Sequence, residues 1–99
     1  MSSVLLRFAG AAGDAEPIVE ALRARSSVPI HVRDEIVRGL DFADAGTAER
    51  VTGALRRVAI ELLAATDDVP ALVAAVDASR RRLPVRWMTL PVGDMGRLA

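Results

Sequence analysis

The chain has no cysteine, lysine, asparagine, glutamine or tyrosine, and a single histidine. Without cysteine it can form no disulfide and no thiolate metal site, and it has no thiol nucleophile. A chain near 100 residues can still bury one modest core without such staples, so these 99 residues are expected to make one domain. The absent residue types have mostly AT-rich codons, which points to a high-GC bacterial genome. All 13 cations are then arginine by default, and an arginine here is not automatically a bidentate anion reader. Charge of one sign is also lacking: 13 basic residues balance 13 acidic ones to a formal +0. That balance argues against a nucleic-acid binder, whose affinity rests on neutralising phosphates. Only Phe8, Phe42 and Trp87 are aromatic, too few for an interleaved series of arginines and aromatics, so base stacking has little support. No window approaches the roughly 18 uninterrupted apolar residues of a membrane span. Residues 1–9 carry no secretory pattern. The expectation is a soluble cytoplasmic protein.

What is present is apolar. Hydrophobic residues make up 52% of the chain and the mean hydropathy is +0.28, more than so short a chain readily covers by itself, which leaves apolar surface for a partner. The longest regular spacing lies in residues 47–83. Val51, Leu55, Val58 and Leu62 step by four, three and four, the stripe of a 3.6-residue helix. Val69, Leu72, Val73 and Val76 repeat it after a break at Asp67-Asp68-Val69-Pro70. The spacing predicts one helix from Thr47, a plausible N-cap, to about Ala65, with Gly53 inside it, and a second that is capped by Asp67 or Asp68 and ends in Ser79-Arg80-Arg81-Arg82.

Elsewhere, Val4, Leu6 and Phe8 share one side of a first strand, with Arg7 on the other. Gly10-Ala11-Ala12-Gly13 breaks it, and Asp14 is placed to cap a helix over about Ala15 to Arg25, with Ile18, Ala21 and Leu22 as its stripe and Pro17 tolerated in the first turn. Val28-Pro29-Ile30-His31-Val32-Arg33 alternates as a strand, with Pro29 at an edge or near its start. For residues 34–42 a third strand after a tight turn at Arg33-Asp34 is preferred to a short helical turn, with Phe42 as an anchor to the core. Val85 to Leu90 reads as the last strand, ended by Pro91 and Gly93.

The order β-α-β-β-α-α-β implies a small two-layer α+β sandwich, residues 1–92, with three helices on one face of a three- to four-stranded sheet and a flexible tail over 93–99. It is similar in element order alone to the ferredoxin-like βαββαβ arrangement, with one extra helix.

Chemistry finds little purchase. The Gly10 to Asp14 turn lies between a strand and a helix, where phosphate loops lie, but it lacks the third glycine of a dinucleotide fingerprint and the Gly-Lys-Ser/Thr of a triphosphate loop, and Asp14 puts a negative charge at the entrance. An ordinary turn and cap suffices. His31 has Asp34 and Glu35 near it in sequence, but no nucleophile, and one histidine with scattered carboxylates shows no ligand spacing. Asp67-Asp68 is explained by capping. Arg80, Arg81, Arg82 and Arg86, with Arg56 and Arg57, form the one basic concentration; a solvated helix end explains it better than a bound phosphate. No catalytic residue, cofactor or metal is assigned.

The most informative feature is the last strand, where Trp87 and Met88 must point to opposite faces. If helices cover one face only, the other carries some of Leu5, His31, Met88 and Leu90, a partly apolar surface. The reading is therefore a non-catalytic interaction or oligomerisation module, an accessory or regulatory subunit of a larger bacterial system. Its interface residues are Arg86, Trp87, Met88 and Leu90, and its partner is a second copy, in a two-fold homodimer, or a larger protein. The alternative is a domain or small enzyme that binds a small molecule or anion at the Gly10 to Asp14 turn with nearby arginines.

Overall fold

The structure, a computed structural model, describes residues 2–38 and 54–99. Four strands and two helices alternate along them as β1 (Ser3–Ala11), α1 (Ala15–Arg23), β2 (His31–Arg38), β3 (Ala54–Ala65), α2 (Val69–Asp77) and β4 (Arg86–Pro91), with a single 3₁₀ turn before each helix. The strands form one antiparallel sheet in the order β2-β3-β1-β4. This is the ferredoxin-like α+β order, with both helices on one face.

The alternation in β1 turns Leu6 and Phe8 under the helices, where both are fully buried. They meet Leu62 and Ile60 across the sheet, and Ile18 and Leu22 of α1 with Val69, Leu72 and Val76 of α2 close the core from above. Gly10 sits beneath α1: a Cβ there would lie 3.2 Å from the Ile18 Cδ1 and 3.5 Å from the Val85 Cγ2. The small residue is what lets the first helix turn pack onto the strand end.

Three expectations are corrected. Residues 54–65 are not helical; they form the long inner strand β3. The stripe Val58 and Leu62 also fits period two, since Val58, Ile60, Leu62 and Ala64 are buried in alternation. Helix-favouring Ala, Leu, Arg and Glu are overruled here by hydrogen bonding to a strand on each side. Only two helices occur among the described residues, not three. There is also no tight turn at Arg33-Asp34, because β2 runs unbroken from His31 to Arg38. Leu40, Phe42, Thr47, Val51 and Gly53, and the side chain of Leu55, lie outside the described residues.

The caps differ as well. Neither Asp14 nor Asp68 makes a side-chain cap bond at its helix. The carboxylate of Asp14 is buried and reaches across the chain, accepting the backbone N–H groups of Arg82 and Leu83, each at 2.9 Å. Helix α2 ends at Asp77, so Arg80 to Arg82 lie beyond its last turn. Arg81 folds back instead and donates to the carbonyl oxygens of Val76 (3.3 Å) and Leu83 (3.1 Å) and to the Asp77 carboxylate (3.0 Å). The helix end and the link to β4 are thereby tied together through side chains.

Candidate functional site

Because side chains alternate along every strand, the register fixes what the sheet presents on the face away from the helices. One row across it is Leu63, Leu5 and Leu90. The next is His31, Glu61, Arg7 and Met88, and the third is Arg33, Ala59, Ala9 and Arg86. The sheet thus brings Leu5, His31, Met88 and Leu90 onto one surface, together with Arg86. Trp87 lies on the other face, opposite Phe8, beside the α2 residues Pro70, Val73 and Asp77 and half exposed.

Charge occupies the middle of the open face. The Arg7 guanidinium donates to Glu35 at 2.6 Å and lies 3.9 Å from Glu61. Arg33 donates to Glu61 and sits 3.8 Å from Glu35. Two arginines and two glutamates therefore close a square over Ala59, which is fully buried beneath them. The hydrogen bond from Arg33 to Glu61, and then the charge of that carboxylate, raise the Arg33 pKa above its ordinary value. Below the square, the Arg57 guanidinium is buried and donates to the Ala9 carbonyl at 3.0 Å. Such internally matched charges have small net worth individually at a surface, but they make the centre of the face a polar plate. The apolar remainder is its rim: the leucine row, and Met88 on β4.

Beside the leucine row, Val28 and Pro29 complete a hollow of about 450 Å³ with Leu5, Leu63 and His31. It gathers no group of acidic or histidine side chains able to hold a metal ion; among the described residues no such group exists. At the Gly10 to Asp14 turn the one carboxylate, that of Asp14, is buried and accepts the N–H groups of Arg82 and Leu83. Sequence reasoning missed the charge square because Glu61 was read as helical. The clue available was that Arg7, Arg33, Glu35 and Glu61 each stand at alternate positions beside apolar neighbours.

The β4 strand is the sheet's outer edge next to β1, and all six of its residues are exposed. The family model of DUF3240, proteins of unknown function, matches residues 2–99. The chain belongs to the DUF3240 family. Among solved structures, a DUF3240 family protein from Shewanella baltica is similar over 100% of this chain and 99% of its own, with a TM-score of 0.78 at 15% identity. Arabidopsis thaliana PII bound to citrate is similar over 98% of this chain and 83% of its own (TM-score 0.69, 17% identity). A functionally unknown protein from Pediococcus pentosaceus is similar over 99% of each chain (TM-score 0.67, 12% identity). At these identities the likeness is one of fold: a small four-stranded α+β fold of the PII-like, ferredoxin type. The comparison with curated proteins gives no match. No helix among the described residues is long and apolar enough to cross a membrane.

Proposed function

We propose that this DUF3240 chain is a non-catalytic regulatory module that works as a homo-oligomer, associating through the β4 side of its sheet. The observation that carries the reading is the state of β4. It is an edge strand whose Met88 and Leu90 project from the open face and whose Trp87 projects from the other, all large apolar side chains left 41–54% exposed. An edge with unpaired backbone groups and apolar side chains on both faces is a ready template for pairing with another chain. A second copy suits it better than a charged partner, because the neighbouring charges are already matched within the chain and the whole is neutral. Arg86 borders this strip on the open face.

Sedimentation over a range of concentrations tests it. The expected result is a mass that is a multiple of the monomer, in its simplest form a two-fold dimer; a monomer at every concentration removes the reading. Binding of a small carboxylate is the second reading, and its support is the fold shared with the citrate-bound PII. A thermal-shift titration with citrate should raise the melting temperature if it holds.

A further inference from the structure

The strand that carries the association is followed directly by a segment with the complementary need. Val92 donates its N–H to the Ser3 carbonyl at 3.4 Å, which places Val92, and by alternation Leu90, Met88 and Arg86, with their backbone groups turned toward β1. The backbone N–H and C=O groups of Trp87 and Thr89, and the Pro91 carbonyl, therefore point away from the sheet, along an edge that no strand among the described residues pairs with. Beyond Val92 the chain runs to residue 99 without helix or strand, and it carries two large apolar side chains, Met95 at 64% and Leu98 at 99% exposure. A segment without a sheet partner, carrying exposed apolar side chains, thus lies next to a sheet edge with uncovered apolar residues.

We infer that residues 93–99 of one copy add as a strand to the β4 edge of a second copy, and that the exchange is reciprocal about a two-fold axis at Gly93. The inference rests on the self-association proposed above and names what meets β4. Antiparallel pairing about Gly93 sets Trp87 opposite Ala99, Thr89 opposite Arg97 and Pro91 opposite Met95 of the mate. The outward-facing backbone groups of β4 then receive partners, in the manner of peptides that add a strand to an exposed edge. Proline, which has no N–H to give, is tolerated at such a position. The same register sets Met88 of one copy opposite Leu98 of the other on the open face, beside Leu90. These are non-hydrogen-bonded pairs, in which side chains approach closely. Glycine at the axis lets two backbones cross without a side chain between them, and Gly96 falls opposite Leu90. Reciprocity doubles each of these contacts, as a two-fold interface requires.

The chain has no native cysteine, which makes a disulfide test clean. A full-length chain carrying Met88→Cys and Leu98→Cys together should form a covalent dimer on mild oxidation, seen on a non-reducing gel, while either single variant should stay at monomer mass. A double variant that oxidises without doubling its mass would show the segment lying along its own strand, and one that does not oxidise would remove the pairing; either overturns the inference. In a second measurement, Leu98→Asp, at a position whose side chain touches nothing the fold needs, should weaken dimerisation about ten- to a hundredfold in sedimentation, the worth of one buried leucine. If the unmodified chain associates but both variants behave like it, the segment exchange fails alone. If the unmodified chain is a monomer throughout, the proposed self-association fails with it.

Discussion

Asp14→Asn is the most discriminating single change in the monomer. The Asp14 carboxylate is buried at the start of α1 and accepts two N–H groups, from Arg82 and Leu83, one on each oxygen. No other hydrogen bond described between side chain and backbone ties the first βα unit to the link that leads from α2 into β4. Asparagine keeps the shape but offers one oxygen; its amide group would confront the second N–H, donor against donor. A hydrogen bond to a charged group contributes about 1.5–3 kcal/mol, and a buried donor left without a partner costs about 1–3 kcal/mol. Asp14→Asn should therefore cost about 2–4 kcal/mol, and Asp14→Ala, which removes both acceptors, should cost at least as much. For a domain of this size the asparagine change corresponds to a fall in melting temperature on the order of 10–25 °C. The comparison is Asp68→Asn, at the equivalent place before α2, where the carboxylate is exposed and makes no cap bond. That change should stay below about 1 kcal/mol, the scale of a helix-dipole interaction. Urea melts of the three variants decide it. Equal losses for Asp14→Asn and Asp68→Asn, or a loss below about 0.5 kcal/mol at Asp14, would refute the idea that the carboxylate clamps the link.

Leu62→Ala should cost about 2–5 kcal/mol in the same melts, because Leu62 is fully buried between Leu6 and the helices. Glu61→Gln keeps an acceptor oxygen but removes the negative charge that Arg33 and Arg7 face; it should cost about 1 kcal/mol at low salt, and the difference should shrink in 1 M salt as the charges are screened, on the order expected for partly exposed pairs. Gly10→Ala should cost about 1–3 kcal/mol, the usual range for overpacking, since the added methyl presses on Ile18 and Val85; a neutral or stabilising result in the melts would show that α1 shifts freely.

The outer shell of the fold was legible in the sequence. Val4, Leu6 and Phe8 show a clean period of two, and Ile18 and Leu22 a helical step, so β1 and α1 appear where they were expected. The α+β class and the open face with Leu5, His31, Met88 and Leu90 follow from the same alternation. The inner strand was not legible, and the reason is physical. In β3, Arg57, Ala59, Glu61 and Leu63 alternate with Val58, Ile60 and Leu62, but Ala59 and Leu63 blur the contrast, and the residue types favour helix when no neighbour competes. What decides the matter is β1 on one side and β2 on the other, pairings that a local window cannot contain. Asp14 is a similar case: next to Ala15 it looks like a cap, and only the fold brings Arg82 and Leu83 to it.

The same misplaced element explains why apolar surface is left over. Each helix has nine residues and is about 13 Å long at the rise of an α-helix. The twelve residues of β3 extend about 40 Å at the rise of a strand. Two helices of that length cover the middle of β1 and β3 and little more, which is where the sheet's fully buried large side chains, Leu6, Phe8, Val58, Ile60 and Leu62, lie. The outer strands are left with Val32 and Ile36 of β2, and Trp87 of β4, projecting on the helix side but not sealed by it. Had residues 54–65 been a third helix, as their spacing suggested, it would have supplied the cover; as a strand they enlarge the sheet that needs covering. The self-association proposed above would draw on this apolar surface, which the helices are too short to bury.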